Sequence, residues 1–147
     1  MILSGNEMRN RLGDDSLHGD LVIRPYSSDC QQPASYDLRA ADNVLVPKNT
    51  CTLVSSLEWV ELTGNLAGTL RCRSSLGRKG ILLGGGFVDP GFRGQLTLCL
   101  TNMGAADLEI HQGDRVVQIV LHEVRGGAHL YEGRYQDSKG IVGAHQV

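Results

Sequence analysis

Two stretches of this chain carry side chains suited to chemistry. The first is Gly84-Gly85-Gly86-Phe87-Val88-Asp89-Pro90-Gly91-Phe92-Arg93-Gly94. Glycine lets a backbone turn sharply and lets a ligand approach it closely. Pro90-Gly91 after Asp89 is turn chemistry. Asp89 is therefore expected at the mouth of a glycine-lined hairpin whose backbone can itself act as a binding surface; the plainer alternative is a tight β-corner with a solvated aspartate. The second stretch holds Arg71, Arg73, Arg78 and Lys79, with Ser74 and Ser75 between them. Guanidinium forks and hydroxyls suit phosphate oxygens. No Walker sequence is present, so a triphosphate bound here does not sit on a P-loop.

These residues need a frame. At 147 residues the chain reads as one domain, 1–147, with enough length for a real core. Gly is abundant and aromatics are scarce, at 19 residues and 5%, which favours short strands and many turns. Ser4-Gly5-Asn6-Glu7 has capping-box spacing, and Leu3 and Met8 are placed as a hydrophobic staple. The spacing predicts a short helix ended by Gly13-Asp14-Asp15, with Met8 and Leu12 on one face. Residues 1–26 are then an N-terminal helix and strand. Strands are expected over Asn43 to Pro47, over Cys51 to Leu62 with Trp59 as core anchor, and over Leu66 to Cys72. Leu96, Leu98 and Leu100 alternate with Thr97, Cys99 and Thr101. Asp107 to His111, the turn Gln112-Gly113-Asp114 and Arg115 to Val124 read as a hairpin. The pattern is that of an all-β sandwich or barrel. From Gly126 the chain is glycine-rich and polar, so 126–147 is expected to be a mobile tail.

A net charge of −2 argues against a general nucleic-acid binder, which needs a broad basic surface. The four cysteines form no Cys-x-x-Cys pair, and no secretory leader or membrane span is evident; reduced thiols in the cytoplasm are the simplest expectation. The His-x-Glu and Pro-Cys-x-x-Cys elements of zinc deaminases are absent.

The run from Gly86 to Gly94 resembles the third motif of the superfamily of dUTP pyrophosphatases (dUTPases) and dCTP deaminases. Pro33 to Ala40 is similar to its first motif, Arg73-Ser74-Ser75-Leu76-Gly77-Arg78 to its second, and Gly113 to Ile119 to its fourth. Four matches in order are specific for the superfamily. The resemblance implies a β-barrel or distorted jelly roll of the dUTPase-like type with a short N-terminal helix, assembled as a homotrimer with shared active sites. It implies phosphate binding by Arg73, Ser74, Ser75 and Arg78, with Gln118 nearby, and base or sugar contacts from Gly86, Phe87, Val88 and Phe92. Phe92 takes the place of the aromatic under the sugar that leaves no room for a 2′-hydroxyl. In the tail, Tyr131 and Lys139 match the deaminase pattern. Asp37 has a supporting role, at most holding a metal through water; Mg²⁺ travels with the triphosphate and needs few protein ligands. Asp89 is the catalytic candidate: it would orient and deprotonate the water that attacks between the α- and β-phosphates.

Cys99 is the informative departure. dCTP deaminases resembling this chain carry a catalytic glutamate ten residues after the third-motif aspartate, and here that position is Cys99. A thiol with an ordinary pKa of about 8.5 is a poor substitute for a carboxylate base. The tail also lacks the aromatic of the last dUTPase motif, and the hairpin between Arg78 and Asp89 is about two residues shorter than in the deaminases. The leading expectation is a dUTP diphosphatase giving dUMP and pyrophosphate. The alternatives are a zinc-independent dCTP deaminase, possibly bifunctional, and a non-catalytic nucleotide-binding trimer. Deoxyuridine or deoxycytidine triphosphate is the expected ligand, with no nucleic-acid or membrane partner.

Overall fold

A computed structural model describes residues 1–15, 17–127 and 129–144; of the expected tail, residues 128 and 145–147 lie outside the described residues. The first helix, α1 (Gly5–Arg11), starts where its cap requires: Ser4 Oγ accepts the Glu7 N–H at 3.2 Å. Leu3 and Met8 are both buried beside it, as a staple should be. The capping box is only half formed, because the Glu7 carboxylate turns forward to Arg11 Nε at 2.7 Å. Arg11 also reaches Glu123 at 2.6 Å and so pins the helix to the last strand.

Ten strands follow. They are β1 (Leu21–Arg24), β2 (Tyr36–Arg39), β3 (Val44–Val46), β4 (Cys51–Leu62), β5 (Leu66–Cys72), β6 (Ile81–Gly84), β7 (Phe87–Val88), β8 (Arg93–Asn102), β9 (Leu108–Ile110) and β10 (Arg115–Glu123). A four-residue helix, α2 (Ser74–Gly77), joins β5 to β6. One sheet has the order β1-β4-β8-β6, the second β2-β10-β5-β7, and β3 and β9 form a two-stranded ribbon. All the named strand pairs are antiparallel. Both four-stranded sheets send side chains into one apolar cluster: Val54, Leu98 and Leu100 from the first, Leu38, Leu66, Ile119 and Leu121 from the second. The all-β class, the distorted jelly-roll layout and the short N-terminal helix are those expected. No helix among the described residues is long and apolar enough to cross a membrane.

β8 keeps the predicted period of two. Leu96, Leu98 and Leu100 are buried, while Gln95, Thr97, Cys99 and Thr101 are half-buried on the other face. Two expectations need correction. β9 and β10 are not a hairpin: β9 pairs with β3, and β10 lies between β2 and β5. The turn between them is drawn to β2 instead, where Ala40 donates to the Asp114 carbonyl and Gly113 donates to the Ala40 carbonyl. Trp59 is only partly buried and is absent from the core cluster. The pairing of β4 with β8 shifts register between Ser55 and Trp59, which changes the phase of inward positions. Glu58 takes the interior place at 0% exposure, paired with Arg39, and the Trp59 indole N–H donates to Glu61 at 2.8 Å.

Candidate active site

The hairpin between β6 and β8 works because its glycines occupy conformations closed to other residues. Gly86 has φ 116°, and a Cβ there would lie 2.7 Å from Leu70 Cβ; Gly91 has φ 84°, and a Cβ there would lie 2.9 Å from Leu130 Cβ. The chain can therefore press against β5 on one side and the tail on the other. Asp89 is exposed at the tip, and its carbonyl closes a turn by accepting the Phe92 N–H at 3.1 Å. Val88 and Phe92 are buried, whereas Phe87 is 62% exposed. The Phe92 ring meets Tyr131 edge-on, with centroids 5.7 Å apart.

These residues border a cleft of about 590 Å³, within the usual range for small-molecule sites. Gly86, Phe87, Val88, Asp89, Phe92, Cys99 and Tyr131, all singled out in the sequence, line it. Gln95, Thr97, Tyr135, Ser138 and Val142 line it too and were not anticipated. For Gln95 and Thr97 the signal existed, since both share the outward face of β8 with Cys99. Burial, with Cys51 nearby, pushes the Cys99 thiol up, so it is held in the neutral form at neutral pH.

The tail lies along β8. Arg93 donates from Nη2 to Asp137 Oδ2 at 3.0 Å and from Nε to Oδ1, a bidentate pair. Asp137 N–H returns a bond to the Arg93 carbonyl at 2.9 Å, and Gln95 N–H donates to the Ser138 carbonyl at 2.8 Å. Further on, Gly140 N–H donates to Gln95 Oε1 at 2.7 Å and Val142 N–H to Thr97 Oγ1 at 3.0 Å. Lys139 is exposed in this run and does not line the cleft.

The basic residues form a second group. Ser74, Ser75, Arg78 and Lys79 are exposed in and after α2. Asp37, only 1% exposed, receives Arg73 Nε at 3.2 Å and Arg115 Nη1 at 3.6 Å on the same oxygen, Oδ2. Its other oxygen, Oδ1, has no hydrogen-bond partner among the described residues. Gln118 donates to Ser35 Oγ at 3.3 Å, and on β10 it is directly opposed by Asp37 of β2 on one side and Arg71 of β5 on the other. None of Arg73, Ser74, Ser75, Arg78 and Gln118 lines the Asp89 cleft of the same chain. Among the described residues no group of three or more His, Cys, Asp or Glu is arranged to hold a metal. The donors near Asp37 are guanidinium groups, which suit an anion.

Fold and site together define a dUTPase-like β protein. Structural comparison gives the same class: the dUTPase from EIAV superposes with a TM-score of 0.62 at 18% identity, covering 79% of this chain and 98% of that one. The dCTP deaminase from Agrobacterium tumefaciens superposes with a TM-score of 0.68 at 18% identity, covering 82% of this chain and 47% of that one. A family model described as dCTP deaminase-like matches residues 40–124. The dCTP deaminase of Thermococcus kodakarensis is 35% identical, spanning 89% of this chain and 95% of its own length. A dCTP deaminase described as dUMP-forming, from Methanopyrus kandleri, is 32% identical over 95% of this chain and 89% of its own length. The chain belongs to the dCTP deaminase-like family, a family of nucleoside triphosphate metabolism.

Proposed function

We propose that this protein hydrolyses a pyrimidine deoxyribonucleoside triphosphate, dUTP first, to the monophosphate and pyrophosphate. The observation that carries the reading is the outward face of β8: the position that resembles the place of the deaminase glutamate holds Cys99, a thiol kept neutral by burial, while Asp89 is exposed and lines the same cleft. Attack at C4 of cytosine needs an ionised base within reach of water; hydrolysis between phosphates needs a carboxylate and cations. In that step Asp89 takes a proton from water, the water oxygen bonds to the α-phosphorus, and the bond to the β-phosphate breaks to release pyrophosphate. Mg²⁺ held by the triphosphate would supply charge neutralisation of its oxygens.

Arg73, Ser74, Ser75, Arg78 and Gln118 stand apart from the cleft of their own chain. The reading therefore places them against the cleft of another copy, in a homotrimer with shared sites. The 2′-position of the sugar meets Phe92, and the base meets Gly86, Phe87 and Val88. In this reading Tyr131, which lines the cleft from the docked tail, meets the nucleotide, and Lys139 of the same tail contacts it too. A second reading, dCTP deamination alone or followed by hydrolysis, is favoured by the descriptions of the relatives. Incubation with Mg²⁺ and either dUTP or dCTP, with pyrophosphate and ammonia assayed separately, decides between them. Pyrophosphate from dUTP without ammonia from dCTP is expected. Ammonia from dCTP establishes the second reading, and neither product from a folded, nucleotide-binding protein makes it a binding trimer.

A further inference from the structure

The second sheet carries a further cation, Arg71, on the face that holds Asp37 and Gln118. Across this sheet Asp37, Gln118 and Arg71 stand in one row on β2, β10 and β5, and directly opposed residues share a face. The arginines of this face differ in what holds them. Arg73 is bound to Asp37 at 3.2 Å and to the Arg115 carbonyl at 3.1 Å. Arg115 shares Asp37 at 3.6 Å and reaches the Asp29 carbonyl at 3.0 Å. The buried Asp37 charge is thus matched within the chain. Arg71 is exposed and has no ion pair or hydrogen bond to a side chain among the described residues.

We propose that Arg71 is a phosphate-binding residue, contacting the terminal phosphates of a nucleoside triphosphate whose remaining phosphates meet Ser74, Ser75 and Arg78. This rests on the nucleotide reading above. Arg71 lies near the end of β5, two residues before Arg73 at the N-cap of α2, and is paired across the sheet with Gln118. A guanidinium placed there offers a planar fork to phosphate oxygens, and neighbouring Arg73 and Arg115 add positive potential without competing for an internal partner. Being an exposed strand residue, Arg71 can be replaced without disturbing the core.

The test uses the full chain as wild type, Arg71→Ala, Arg71→Lys and Arg78→Ala, titrated with dUTP, inorganic tripolyphosphate and deoxyuridine; size-exclusion chromatography reports the assembly of each variant. Arg71→Ala is expected to weaken dUTP and tripolyphosphate about tenfold, with a shallower dependence on salt, and to leave deoxyuridine unchanged. Arg71→Lys is expected to recover part of the loss. If Arg78→Ala weakens tripolyphosphate and Arg71→Ala does not, the Arg71 assignment is overturned while the nucleotide reading stands. Equal loss for deoxyuridine, or a changed assembly in Arg71→Ala, also overturns it. If the wild type binds neither dUTP nor tripolyphosphate, both readings fall together.

Discussion

Cys99 is the residue on which the choice between hydrolysis and deamination turns. Its strand position is legible from alternation alone: Leu96, Leu98 and Leu100 go inward, so Cys99 faces the cleft. Burial raises the thiol, which means the fold favours the neutral form; that preference is fully present below the unfolded thiol's pKa and is lost as pH rises through the higher folded value. Cys99 thus holds no negative charge at neutral pH. Cys99→Ala is expected to leave pyrophosphate release from dUTP within about tenfold, because the residue takes no part in phosphoryl transfer. Ammonia from dCTP in the wild type, lost in this variant, would make Cys99 the base. Asp89→Asn is expected to abolish turnover while nucleotide affinity stays within about tenfold, since only the water loses its acceptor. Normal turnover in Asp89→Asn removes Asp89 from the mechanism. The Asp89 hairpin was readable because Gly86 and Gly91 leave a sequence trace of their backbone angles. The Arg73–Asp37–Arg115 cluster was not, because it joins residues brought together only when β2, β10 and β5 align.

At the scale of elements, the tail and β4 show what local pattern omits. Composition gives the run after Gly126 little to bury, yet its main chain is bonded along β8 from Arg93 to Thr97. The central contact is Arg93 with Asp137, 44 residues apart. No periodicity encodes such a pair. The hydrogen bond from Arg93, with Lys139 adding to it, holds the Asp137 carboxyl below its ordinary range. A lowered value means docking is favoured above the ordinary carboxylate pKa of about 3.9 and weakens as pH falls through the lowered one. Asp137→Asn is expected to speed proteolytic cleavage and hydrogen exchange within 131–142 at pH 7, with the global unfolding midpoint unchanged. Unaltered exchange there would show that the clasp does not hold the tail. In β4, the register shift at Ser55 to Trp59 places Glu58 inside. Burial pushes its carboxyl up, while Arg39 opposes that with its backbone N–H at 2.9 Å and its Nε at 2.6 Å. Removing one partner of a buried pair leaves the other uncompensated. Glu58→Ala is expected to lower the unfolding free energy by about 3 kcal/mol in urea titration; a loss near zero would mean that Arg39 finds full solvation without it.

At the scale of the whole molecule, the two groups of candidate site residues lie apart within one chain. The Asp89 cleft has a carboxylate, an aromatic floor and a glycine backbone; Gln118 and Arg71 on β10 and β5, and Ser74, Ser75 and Arg78 in and after α2, lie outside it. Leu70 lines the cleft, while Thr69 and Arg71, its neighbours on β5, point the other way. Alternation along β5 thus turns Arg71 away from the cleft of its own chain, and the serines and Arg78 of the α2 segment do not line that cleft either. The homotrimer proposed above would resolve this by laying one copy's basic residues against the next copy's cleft, a heterologous contact that closes a ring. The arrangement predicts complementation. Asp89→Asn removes the carboxylate from one half, and Arg78→Ala weakens the other. Each variant alone is expected to be nearly inactive at low dUTP. When the two are unfolded together in equal amounts and refolded, a site with both halves intact takes Asp89 from one variant and Arg78 from the other. Random assembly makes that combination at about one site in four, so about a quarter of wild-type activity should return. If each site were built from a single chain, no mixed assembly could contain an intact one, and activity would stay at the level of the separate variants.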